Sequence, residues 1–145
     1  MAEFLWYLAS PYSYKHEDKA VVNKILDARF RQVSADAADL IRAGLRVFSP
    51  IAHTHPIAEY GTIDHGDHTI WLPADKAIFS RCNGIIVDML PGWDKSYGVG
   101  EELRWAEEHG MVIAYYTPKK LLPELAPVIT GTIGDPKGYD VVAGS

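Results

Sequence analysis

Apolar residues along the chain follow two patterns, short continuous runs and longer stretches with helical spacing. The short runs are typical of strands covered on both faces of a parallel sheet, and they predict strands over 4–9, 46–48, 84–89 and 111–116. In the longer stretches apolar residues recur every three or four positions, which predicts helices over 17–43, 71–82 and 99–110.

Strands that alternate with helices indicate a doubly wound α/β fold, flavodoxin-like or Rossmann-like, with three layers around a mostly parallel sheet in a single domain. Ligands of such folds bind beyond the carboxyl ends of the strands, here the loops at 10–13, 49–55 and 90–102. Residues 51–69 are rich in His, Gly, Asp and Thr without a clean period, and we interpret them as a loop over that end. We expect the domain to span 1–128 and the glycine-rich segment 129–145 to be an irregular tail or to pair at a sheet edge.

Charge and cysteine content narrow the function classes. Fourteen Lys and Arg against 19 Asp and Glu in 145 residues give a net charge of −5, which argues against duplex nucleic acid or an anionic membrane as the main partner. The single cysteine, Cys82, excludes a disulfide within the chain and a cysteine-based zinc site. No signal-peptide pattern or membrane-length apolar run is present, so the sequence predicts a cytoplasmic protein.

The segment Gly98-Val99-Gly100-Glu101-Glu102-Leu103 carries the most chemical information. Gly98 and Gly100 let the backbone approach a ligand, and a helix N-terminus attracts anions. We place Glu102 in the first turn of the helix, where the dipole would keep its carboxylate ionised and ready to act as a nucleophile. The alternative is an ordinary glycine-rich turn followed by acidic residues on a solvated helix.

Three segments in order resemble the nucleoside 2-deoxyribosyltransferase superfamily, which includes the 2′-deoxynucleoside 5′-monophosphate N-glycosidases. Residues 98–106 resemble its G-x-G-x-E-L-x-x-A segment, residues 75–83 resemble its D-x-x-x-x-x-x-A-D segment, and residues 7–11 resemble its first strand and substrate loop. Residues 49–56 and 92–98 also match patterns of a phage and bacterial subfamily of unassigned function. The resemblance covers roughly residues 4–117.

The resemblance implies an enzyme and assigns roles to several residues. Glu102 corresponds to the nucleophile, and Asp75 to a second catalytic carboxylate that protonates the leaving base directly or through water. Tyr7 corresponds to a residue that orients the nucleophile; the alternative is a core tyrosine with a hydrogen-bonded hydroxyl. The loop that contains Ser10 and Ser13 corresponds to a substrate loop. The reaction implied is a retaining double displacement that needs no metal or organic cofactor, and relatives with this fold are usually homodimers or larger.

Ser96 bears on the substrate, because it stands six positions before Glu102, as in the monophosphate hydrolases that the chain resembles. A hydroxyl there, with the amides of Gly98 and Gly100, would donate to a phosphate. The alternative role of Ser96 is that of a helix cap, and the two roles are compatible. The sequence therefore favours hydrolysis of the N-glycosidic bond of a (deoxy)nucleoside 5′-monophosphate. The alternatives are a nucleoside 2-deoxyribosyltransferase that acts on free nucleosides and a non-catalytic nucleotide-binding module.

Aromatic residues and histidines complete the candidate site. His53 or His55 would hydrogen-bond the base or sugar, or merely close a turn before Pro56. Trp93 would stack on the base or pack against the sheet edge. The histidines of 53–68 match no metal-binding motif, so we predict no metal site. Trp71, Trp105 and Tyr116 provide more aromatic surface than a small monomer readily hides, which predicts a homodimer or larger oligomer.

Overall fold

The predicted strands form one parallel sheet, and a fifth strand extends it. The computed structural model describes residues 3–128 and 140–142. The strands are β1 Leu5–Ala9, β2 Arg46–Phe48, β3 Gly84–Asp88, β4 Val112–Tyr116 and β5 Asp140–Val142, in the order β2-β1-β3-β4-β5. The helices are α1 Lys19–Arg42, α2 Pro50–Gly61, α3 His68–Phe79 and α4 Tyr97–Glu108, with 3₁₀ turns at Trp93–Lys95 and Pro123–Val128. The predicted doubly wound α/β fold class is confirmed.

Alternating residues of the strands build a core on each face of the sheet. Leu8 and Ile86 face α1, where they pack with Val33 and Leu40. The adjacent strand residues Tyr7 and Ile85 face α3 and α4, where they form a second cluster with Phe79 and Trp105. Side chains of successive strand residues point to opposite faces, so the continuous apolar runs are what a sheet covered on both faces requires.

The interpretation of residues 51–69 as a loop is wrong, because most of them are helical. Ser49 caps α2 by accepting a hydrogen bond from the Ala52 N–H at 3.1 Å, and Pro50 occupies the first turn. The buried residues Ile51, His55 and Ala58 of α2 recur at steps of four and three. The helical period was therefore present, with a histidine at one of its buried positions.

The aromatic residues used to predict an oligomer are buried or hydrogen-bonded within one chain. Tyr116 is fully buried and Trp105 is 5% exposed. The Trp71 indole N–H donates to the Asp64 carbonyl oxygen at 2.8 Å. The argument from aromatic surface is therefore wrong, and the predicted homodimer rests on the resemblance alone.

The C-terminal segment enters the description only through β5, which pairs with β4 at the sheet edge. Residues 129–139 and 143–145 lie outside the described residues, so the predicted boundary at 128 stays a prediction. None of the helices in the described part of the chain has the length and apolar content that a membrane span requires.

Candidate active site

A cavity of about 630 Å³ lies beyond the carboxyl ends of β1, β2 and β3, where this fold binds ligands. Six of the predicted site residues line it: Ser10, Ser13, Asp75, Ser96, Gly98 and Glu102. Its apolar lining includes Trp71, Leu72 and Trp105. The size and the mixture of apolar walls with a few polar groups are those of a small-molecule site.

Glu102 lies on the second turn of α4 and is only 9% exposed. The prediction that it lies in the first turn and is kept ionised by the helix dipole is wrong, because α4 begins at Tyr97. Burial, the largest effect, raises the pKa of Glu102 to about 8, and the charge of Asp75 adds to this increase. In the free protein the carboxyl group is therefore mostly protonated at neutral pH.

The hydroxyl of the buried Tyr7 lies beside Glu102, and Tyr7 does not line the cavity. Of the residues that the structure describes, none completes a hydrogen bond of normal geometry with this buried hydroxyl. Its proximity to the Glu102 carboxylate nonetheless lowers the pKa of Glu102, in opposition to burial. Burial and the carboxylates of Glu102 and Asp75 raise the pKa of Tyr7 well above 10, so Tyr7 remains a neutral donor.

Asp75 extends from α3 into the same cavity and is half-buried. Burial raises its pKa to about 6. Two carboxyl groups with raised pKa values in one pocket are the arrangement in which one group carries a proton while the other is ionised. The sequence resemblance selected both residues, and the fold brings them together.

The N-terminus of α4 forms another part of the cavity wall. The Oγ of Ser96 caps the helix by accepting a hydrogen bond from the Val99 N–H at 3.2 Å. The same residue lines the cavity, and its hydroxyl hydrogen can still donate to a ligand. Gly98 lines the cavity, whereas Gly100 does not.

Two cations at this site were not among the predicted residues. Lys15 follows the loop at 10–13 after β1 (the β1 loop), and Lys95 precedes Ser96, the α4 cap; both lysines line the cavity. Lysines in exposed loops give no pattern in a single sequence, so only the fold shows that these two face the same space.

A buried arginine holds the β1 loop in place through its backbone carbonyl groups. Arg29 of α1 donates to the carbonyl oxygens of Tyr12 and Ser13 at 2.9 and 2.7 Å. Ser10 in this loop is buried, and its hydroxyl has no hydrogen-bond partner in the described part of the chain. Because a buried hydroxyl normally has a partner, Ser10 is a candidate ligand contact.

Besides Gly100, three predicted substrate contacts do not line the cavity. Trp93 is 7% exposed and packs edge-on against Tyr115 with ring centroids 5.5 Å apart, so the structure favours packing for this residue. His53 is exposed beside Phe48. His55 is buried and stacks on Phe30 at 4.3 Å; burial and then the nearby His65 lower its pKa, although Glu59 and Asp27 oppose this.

Comparisons with known proteins support the fold. Over residues 5–117 the chain matches a family described as a domain of unknown function (DUF1937). A similar solved structure is that of a 2-deoxyribosyltransferase from the psychrotolerant bacterium Bacillus psychrosaccharolyticus, with 20% identity and a TM-score of 0.52 over 90% of this chain and 86% of that chain. No curated protein sequence matches the chain significantly.

Proposed function

We propose that this protein hydrolyses the N-glycosidic bond of a (deoxy)nucleoside 5′-monophosphate. The chain belongs to the family described as a domain of unknown function (DUF1937). The observation that carries the proposal is the carboxyl pair of Glu102 and Asp75 in one cavity. The fold shared with a 2-deoxyribosyltransferase supports the same class of chemistry, the breaking of a bond between a sugar and a base.

The reaction we propose is a double displacement with retention. Ionised Glu102 attacks C1′ of the sugar, a glycosyl ester forms, and the bond to the base breaks. Asp75 donates its proton to the leaving base, and the Tyr7 hydroxyl orients the attacking carboxylate. A water molecule then attacks C1′, gives its proton to Asp75 and releases Glu102 as a carboxylate.

The pKa values of the pair fit a cycle that runs with one proton. The first proton leaves the pair near pH 6 and the second near pH 8, so one proton remains between these values. The proton resides mainly on Glu102 in the free protein, and attack requires that it move to Asp75. A developing positive charge on the sugar stabilises the Glu102 carboxylate and therefore favours this transfer.

Phosphate recognition is assigned to the α4 N-terminus and its neighbours. The Ser96 hydroxyl, the helix N-terminus, Lys15 and Lys95 border the same cavity. Unpaired amides at a helix N-terminus and ammonium groups both attract a dianion. These groups favour a 5′-monophosphate over an uncharged nucleoside.

Substitution of Ser96 tests this assignment. Ser96→Asp and Ser96→Asn both retain a helix-capping side chain, but only aspartate repels a phosphate. We expect Ser96→Asp to lower kcat/KM for a monophosphate by at least about tenfold to a hundredfold, the equivalent of one charge-assisted hydrogen bond of about 1.5–3 kcal/mol. Ser96→Asn should retain more activity. The free nucleoside, measured in parallel, should be little affected by either change.

The decisive experiment for the function is a screen of nucleoside 5′-monophosphates and nucleosides for release of free base. Hydrolysis of monophosphates supports the proposal. Equal use of nucleosides, with faster turnover when an acceptor base is added, would instead identify a 2-deoxyribosyltransferase. Binding without turnover, unharmed by Glu102→Ala, would identify a nucleotide-binding module.

A further inference from the structure

Two histidines and a glutamate converge beside the β1 loop, outside the carboxyl pair. His55 and Glu59 stand one turn apart on α2, and His65 belongs to the loop between α2 and α3. One potential ligand atom from each lies within 4.8 Å of the others. The Glu59 Oε1 is 2.9 Å from the His65 Nε2 and 3.9 Å from the His55 Nε2.

Tyr12 connects the opposite nitrogens of the two imidazole rings. Its hydroxyl oxygen is 2.5 Å from the Nδ1 of His55 and 2.5 Å from the Nδ1 of His65. With a cation between the Nε2 atoms and Glu59, both Nδ1–H groups can donate to this oxygen; without it, the His65 Nε2–H donates to the Glu59 carboxylate at 2.9 Å. A hydrogen bond from the second ring nitrogen is how proteins orient a metal-ligating histidine.

We propose that His55, His65 and Glu59 form a binding site for a divalent transition metal of the Zn²⁺ class. Two imidazoles and one carboxylate suit Zn²⁺ and its neighbours better than Ca²⁺ or Mg²⁺, which prefer oxygen ligands. Bonds of about 2.0–2.1 Å to a tetrahedral ion place ligand atoms roughly 3.3 Å apart. The present separations bracket that value, so small side-chain movements complete the site.

The fourth ligand position belongs to water or to Asp27. The Asp27 Oδ1 is 4.0 Å from the His55 Nε2, while its other oxygen pairs with Arg31 at 2.9 Å. The carboxylates of Asp27 and Glu59 are more than half exposed, whereas the imidazole of His55 is buried. An ion can therefore enter from solvent and meet ligands fixed by the fold.

The metal would stabilise the wall of the cavity and take no part in the reaction. Tyr12 and His65 both line the cavity, and Tyr12 belongs to the same loop as Ser10 and Ser13. A bound ion would connect α2, the α2–α3 loop and, through Tyr12, the β1 loop. Two of its ligands belong to α2 and the third to the following loop, and this spacing matches no established metal-binding motif.

Titration of the chelator-treated protein with Co²⁺ tests the site, because a four-coordinate Co²⁺ ion has an intense visible absorption band. We expect one Co²⁺ to bind per chain with this band, Zn²⁺ to displace it, and Zn²⁺ to raise the melting temperature. Tyr12→Phe, which removes only the hydroxyl, should weaken binding about 10- to 100-fold. His65→Ala should abolish the band.

His53→Ala is the matched control, since His53 is an exposed histidine on the same helix and should bind Co²⁺ like the wild type. Melting temperatures in chelator show whether each variant is folded. Absence of stoichiometric binding by the wild type, or equal binding by folded His65→Ala, would overturn the proposal and leave a histidine–tyrosine hydrogen-bond cluster. Equal loss in His53→Ala would assign the ion to another place.

Discussion

Replacement of Glu102 by glutamine should reduce base release by at least about a thousandfold, because the variant retains the shape of the side chain but loses the attacking carboxylate. Turnover of the best monophosphate, measured as free base by chromatography, provides the number. Glu101→Gln is the matched control. Glu101 is the adjacent residue, forms an ion pair with Arg104 and does not line the cavity, so its loss should leave the rate close to that of the wild type.

Intact-protein mass measurement provides an independent check. During turnover the wild type should gain the mass of one sugar phosphate as the glycosyl ester, and Glu102→Gln should not. Equal damage from the substitutions at 101 and 102, or an unchanged rate in both, would contradict the assignment of Glu102 as the nucleophile.

The same substitution should stabilise the fold at alkaline pH. The folded pKa of Glu102 is about 8 against an ordinary value of 4.5, so the native state binds a proton that the unfolded chain has lost. The stability that this proton provides is complete below pH 4.5 and is lost as the pH rises through 8. Glu102→Gln, which has nothing to ionise, should therefore melt at a higher temperature than the wild type near pH 9. Its free energy of unfolding there should be higher by up to about 5 kcal/mol.

At about pH 5 the two proteins should melt at similar temperatures. The buried carboxyl groups of Asp36 and Asp88 also have raised pKa values, chiefly through burial. They are present in both proteins, so they shift both melting curves and leave the difference intact. A difference that does not grow with pH would indicate that Glu102 is ionised in the folded state.

The core of the fold could be predicted because its apolar signal is local. Residues 84–89 lie in a strand whose two faces are both covered, and this leaves a continuous apolar run in the sequence. The α2 helix could not be found in the same way. It has few buried residues, and Pro56 lies inside it. One of the buried residues is His55, so a polar residue occupies a position where a core helix would have an aliphatic one.

The candidate site was predictable in part for a related reason. Asp75 and Glu102 belong to patterns that resemble known segments. The resemblance depends on the order and spacing of residues, so errors in the predicted helix bounds do not affect it. The ionisation of Glu102 was not predictable, because it depends on how deeply the fold buries this residue and on the start of α4 at Tyr97. The convergence of Lys15 with Lys95 depends on tertiary structure alone.

Asp75 should control the alkaline limb of the pH–rate profile. With one proton required on the pair, kcat/KM for the wild type should be highest between about pH 6 and 8 and should fall on both sides. The second ionisation of a phosphate monoester also falls near pH 6. The fall above pH 8, where the pair loses its last proton, is therefore the diagnostic feature.

Asp75→Asn should lower the rate on a natural monophosphate by about 10²- to 10⁴-fold, the range of general acid catalysis, and should affect a substrate with an activated leaving base much less. The alkaline limb should disappear, because no donor remains to be ionised. The remaining rise in rate should follow the ionisation of Glu102 itself and should lie between about pH 6 and 8, since burial still raises its pKa while the charge of Asp75 no longer does. Equal losses on both substrates, with the alkaline limb retained, would show that Asp75 positions the substrate and that the leaving base takes its proton from another donor.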